Sequence, residues 1–133
     1  MKFPMYVLIA ATLASPLAVL AADHDAHGAA AKHKIELNAG KKWATDDPLR
    51  QAMMAIHASV DVTLPKAHAG KATTAEYDAL SKEVNTQVAY IVQNCKLDPQ
   101  ADAQLHTVIA DILAGAEAAA GTQKGKGRAA GVV

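Results

Sequence analysis

One cysteine, one phenylalanine, one tryptophan and three tyrosines are all that this 133-residue chain carries of those types. A single thiol cannot close a disulfide within the chain, so the fold must rest on its apolar core. Cys-x-x-Cys-His is absent, which excludes covalent c-type haem. Cys-x-x-Cys and His-Glu-x-x-His are absent as well, and with them the strongest zinc spacings. No nucleophile elbow or triad spacing occurs, and the glycines form no phosphate cradle. Neither sign of charge dominates, with 13 Lys and Arg against 13 Asp and Glu. Such a balance offers no electrostatic footprint for nucleic acid or an anionic membrane surface. These absences weigh against an enzyme and leave a binding role.

What is present begins with a leader. Met1-Lys2 is followed by an uncharged apolar stretch from Phe3 to Leu20, then by small residues ahead of Asp23-His24-Asp25. Pro16 interrupts the stretch and no basic stop-transfer cluster follows, so residues 1–22 read as a cleaved signal peptide rather than a membrane anchor. The expected location is the periplasm, with no membrane attachment after cleavage. Loss of Lys2 leaves 12 basic against 13 acidic side chains, a net charge of −1. Residues 23–34 read as a flexible His-containing tail, 35–120 as one helical domain, and the Gly-, Lys- and Ala-rich 121–133 as a disordered C-terminal tail.

Within the domain the apolar spacing is helical. Thr45-Asp46-Asp47-Pro48 is a helix start, with capping side chains, acid at the positive end of the dipole and Pro in the first turn. The seam Leu49, Met53, Ile56, Val60, Thr63 or Leu64, and Ala67 predicts a first helix from about Asp47. Pro65 either ends it or kinks it and allows a turn to about Ala69. Thr73 and Glu76 have capping-box spacing. They open a second helix with the seam Tyr77, Leu80, Val84, Val88 or Gln87, Ile91 and Cys95. Asp98-Pro99 starts a third, whose stripe is Ala101, Leu105, Val108, Ile109, Ile112 and Leu113. Short connections between long helices impose antiparallel neighbours. The expected architecture is all-α, an up-down bundle of three helices with flexible tails. A fourth element would come from residues 29–43 or from a second copy of the chain.

This topology brings the start of the first helix, the end of the second and the start of the third to one end. His57 and His106 then lie at similar depths, about 14 and 10 Å from that end at ~1.5 Å per residue. Met53 shares a helical face with His57. Cys95, His57 and His106, with Met53 as a softer ligand, form a donor set suited to Cu(I) or, without the Met, to zinc. The competing reading makes Cys95 a small buried hydrophobe, Met53 an ordinary core residue, and His57 and His106 boundary residues one position beyond Ile56 and Leu105. A non-covalent haem would draw on Met53 or Met54 and His106, but sparse aromatics leave little room for a porphyrin. Near the leader, cleavage after Ala21 would begin the chain Ala22-Asp23-His24. Amine, two amide nitrogens and imidazole would then form a square-planar site for Cu(II) or Ni(II). Cleavage after Ala22 would abolish it. Trp43 reads as a lid packed over the bundle end, with ligand binding by its face as the alternative. Asp46 and Asp47 are explained by helix capping.

The runs Lys42-Trp43-Ala44-Thr45-Asp46-Asp47-Pro48-Leu49-Arg50, Gln87 to Leu97 and Ala101 to His106 resemble a group of small exported proteobacterial helical proteins, loosely labelled DnrO-like. The resemblance covers residues 35–118. It implies a periplasmic helical domain with Trp43, Cys95 and His106 among its signature positions, and it brings no reaction with it. Two functions follow as expectations. One is metal buffering or carriage, with copper first, through Cys95, His57, His106 and Met53. The other is an interaction module that docks another envelope protein or its own copy as a homodimer.

Overall fold

The computed structural model describes residues 34–133. The expected signal peptide and the His-containing tail up to His33 lie outside them. Three helices follow in order: α1 (Asp47–His68), α2 (Thr74–Asn94) and α3 (Pro99–Ala120). The all-α bundle expected from the spacing is what forms. No helix among the described residues is long and apolar enough to cross a membrane.

Each helix begins where its capping chemistry places it. Asp46 accepts from the Leu49 amide at 3.0 Å, satisfying one of the unpaired donors of the first turn of α1. Thr73 and Glu76 form the reciprocal box, Thr73 N to Glu76 Oε2 at 2.8 Å and Glu76 N to Thr73 Oγ1 at 3.3 Å. Asp98 accepts from Gln100 N at 2.9 Å ahead of α3. Pro65 lies inside α1, and the helix runs on to His68. A proline one turn from the end removes a single ladder bond. The last carbonyls are then closed by Ala69 N to Pro65 O, Gly70 N to Ala67 O and Lys71 N to Lys66 O.

The helices pack antiparallel, α2 against both α1 and α3. Leu49 and Ala52 near the start of α1 share a cluster with Ile91 at the end of α2 and Leu105 on α3. The larger cluster joins Ile56 and Ala67, Tyr77, Leu80, Val84 and Val88, and Ala116 and Ala119. Both open choices in the seams are resolved: Thr63 is buried rather than Leu64, and Val88 rather than Gln87. Thr63 avoids an unpaired hydroxyl by donating to Ser59 O at 3.1 Å. On α3 the stripe is only partly covered. Ala101 and Leu105 are buried, whereas Val108, Ile109, Ile112 and Leu113 remain half-buried.

Two expectations are corrected. Residues 122–133 do not trail away. They turn back along α3 and end in a 3-10 helix, Arg128–Gly131, packed against it. Arg128 Nη1 donates to Asp78 Oδ1 at 2.5 Å and to Ala119 O at 2.8 Å. Ala129 and Val132 join the main core. The backbone of Gly131 lies so close to α3 that a Cβ there would meet Gly115 O at 2.2 Å and Ala119 N at 2.6 Å. The composition hid this because the strap docks by close backbone approach, which leaves no apolar period. The second correction concerns the fourth element. Residues 34–43 are not helical. They form an irregular arm with a tight turn in which Asn38 and Lys41 exchange backbone hydrogen bonds at 2.9 Å. Both central residues of that turn are left-handed, Ala39 at φ +47° and Gly40 at φ +81°, and only the glycine adopts that conformation without steric cost.

Candidate binding end of the bundle

Asp46 organises the end where α1 starts and α2 passes into α3. Besides capping α1, its Oδ1 accepts from Cys95 Sγ at 3.3 Å and its Oδ2 from Lys96 N at 2.7 Å. One carboxylate thus ties the first turn of α1 to the link between the other two helices. The hydrogen bonds from the Lys96 and Leu49 amides hold its pKa below the usual carboxylate value. Cys95 feels the opposite effect. Burial, then its hydrogen bond to the Asp46 carboxylate, pushes the thiol up from 9.0 to about 11. It is half-buried at the C-cap of α2 and keeps its proton at neutral pH.

The expected metal ligands do not converge. Met53 and Cys95 both pack against the cluster of Leu49, Ala52, Ile91 and Leu105. His57 and His106 stay outside it, with side chains 77 % and 72 % exposed. His57 Nδ1 pairs with Asp61 Oδ2 at 2.9 Å, one turn along its own helix. His106 Nδ1 lies 2.9 Å from Asp102 O and 3.4 Å from Asp102 Oδ2. Each imidazole follows a buried residue, and the 3.6-residue turn of the helix rotates it toward water. Among the described residues no three His, Cys, Asp or Glu side chains form a group that could hold a metal ion. Ala22, Asp23 and His24 lie outside those residues.

Trp43 is half-buried and closes the same end. Its Nε1 donates to Glu36 O at 2.6 Å, and Glu36 N donates to Gln104 Oε1 at 2.8 Å, which fastens the arm to α3. The indole borders an apolar cleft with Leu49, Leu97, Leu105 and Val108. It also lines two open clefts of mixed polarity, about 400 and 350 Å³. Trp43 is therefore lid and cleft wall at once. A separate apolar cleft of about 290 Å³ opens where α1 and α3 flank α2, lined by Ile56, Val60, Leu80, Val84 and Ile112.

The second role of Asp46 is not legible in the sequence, because capping already accounts for the residue. The only available signal was topological, in that the start of α1 and the end of α2 share one end. Comparison with family models, with curated proteins and with solved structures gave no match.

Proposed function

We propose that this chain is a non-catalytic docking module of the cell envelope, whose working surface is the seam between α1 and α3. The observation that carries this reading is the apolar cleft of about 290 Å³ on that seam, lined by half-buried Val60 and Ile112 among others. Even with the C-terminal strap packed on α3, Val108, Ile109, Ile112 and Leu113 stay only half-buried. An apolar strip of this kind is satisfied by a further helix pair. A second copy, placed by a two-fold axis, would supply one from a self-complementary surface. The periplasmic setting rests on the leader and on the resemblance described above.

Copper carriage is the less supported reading, since only Met53 and Cys95 of its four ligands share a cluster. Sedimentation equilibrium tests the docking reading in its simplest form. The expected result is a concentration-dependent dimer that Ile112→Glu reduces to monomer while its circular dichroism remains helical. A strictly monomeric chain at millimolar concentration, with Ile112→Glu unchanged in every respect, would remove the second copy as occupant.

A further inference from the structure

We propose that the groove beside Trp43 is a binding site for a neutral saccharide, a short run of hexose or N-acetylhexosamine units. The site is separate from the docking seam and does not depend on it. Its two clefts, about 400 and 350 Å³, share Asn38, Trp43 and Gln100, so they form adjoining compartments of one groove. Each falls at the lower end of the range of about 300–1,000 Å³ usual for small-molecule sites.

The ligand class follows from which groups are free. Two of the groove's carboxylates already have partners. Asp46 accepts from Leu49 N, Cys95 Sγ and Lys96 N, and Asp98 accepts from Gln100 N. With Glu36 in the adjoining compartment, the groove lining carries three acidic residues against one basic residue, Lys96, which disfavours an anion. Part of the arm's backbone is committed too. Asn38 and Lys41 bond each other, Glu36 N bonds Gln104, and Glu36 O bonds Trp43. The arm forms no regular strand whose edge an extended peptide could lengthen. What remains are primary amides. The Asn38 and Gln100 side chains have no hydrogen-bond partner among the described residues, and Gln104 uses only its oxygen. A primary amide donates and accepts together, which matches a sugar hydroxyl or acetamido group that does the same. The indole adds a flat apolar wall for the C–H face of a pyranose ring. Its N–H is held by Glu36 O, so the wall is set before a ligand arrives.

Trp43 is the only tryptophan in the chain, so its fluorescence reports on this end of the bundle, and the Asn38 and Gln100 variants assign a response to the groove rather than to the apolar cleft behind it. The experiment titrates the full exported chain with an N-acetylglucosamine trimer and with a glucose trimer, with tri-alanine and spermidine as comparison ligands. The expected result is a saturable change in Trp43 emission with at least one sugar trimer. Binding should weaken about tenfold in Gln100→Ala and in Asn38→Ala, as loss of one or two amide hydrogen bonds predicts. Both variants should keep the parental circular dichroism and melting temperature, because these side chains support no other group. No emission change with either sugar up to roughly 10 mM, a dissociation constant too weak to matter, would overturn the proposal. A response to tri-alanine or spermidine in place of the sugars would do the same, as would equal sugar responses in parent and variants.

Discussion

Cys95 Sγ donates to Asp46 Oδ1 across 3.3 Å, joining residues 49 positions apart in the chain. The bond links the stability of this end of the bundle to the chemistry of its only thiol. A protonated thiol is a poor nucleophile. With its pKa raised from 9.0 to about 11, Cys95 should carry a roughly hundredfold smaller thiolate fraction at pH 8 than an ordinary cysteine. Iodoacetamide labelling of the folded chain should be correspondingly slow and should climb only as pH approaches 11. In Asp46→Ala the labelling rate at pH 8 should rise by roughly tenfold, and the thermal midpoint should fall. Unchanged labelling in that variant would show that Asp46 does not govern the thiol.

The same shift has a stability consequence. An acid whose folded pKa is raised binds its proton more tightly in the native state. Its contribution is complete below about 9 and disappears as pH rises through about 11. Cys95→Ala should therefore flatten the alkaline decline in stability, as read from urea unfolding midpoints between pH 8 and pH 11.

Glu76 works in the other direction. Lys66 and the Thr73 amide hold its carboxylate down to about 2. Its contribution is full above the ordinary carboxylate range and is lost as pH falls toward 2. Urea midpoints of the parent and Glu76→Gln should differ at pH 6 and converge near pH 2. A constant difference across that interval would show that the capping-box charge is irrelevant.

The C-terminal strap is held by shape. Gly131→Val would drive a side chain into the Gly115 carbonyl and the Ala119 amide. It should cost about 1–3 kcal/mol, the range for overpacking. Hydrogen exchange should show the amides of Ala129 to Val133 losing protection while α1 and α2 keep theirs. Gly127→Ala, where an added Cβ meets nothing within 4 Å, should be close to neutral.

Neighbouring residues on α2 separate core from surface. Ile91 is 1 % exposed and Val92 73 %. Ile91→Ala should lower stability by about 2–5 kcal/mol. Val92→Ala should stay within about 0.5 kcal/mol. Equal effects in chemical denaturation would contradict a buried Ile91 beside an exposed Val92.

Metal loading addresses the reading that the geometry favours less. Native mass spectrometry after anaerobic Cu(I) addition should find no copper held one per chain at a site that needs Cys95. One retained copper per chain, lost in both Cys95→Ala and His106→Ala, would restore copper carriage as the working function.

Much of this fold was legible in the residue order, because its signals are local. Asp46, the Thr73–Glu76 pair and Asp98-Pro99 mark helix starts through bonds spanning two or three residues. The seams of α1 and α2 follow from the helical period. The choice of Thr63 over Leu64 did not, because a hydroxyl can be buried only after Ser59 O has been placed to receive it.

The order of residues by itself determined three helices, their starts, and antiparallel packing through short links. The tertiary structure alone decided that Asp46 meets Cys95, that Gly131 seats on Gly115, and that His57 and His106 face water. Helix starts and seams depend on neighbours within one or two turns, so they can be read along the chain. Contacts between residues tens of positions apart depend on the angles and depths at which whole helices settle, and those are set by packing in three dimensions.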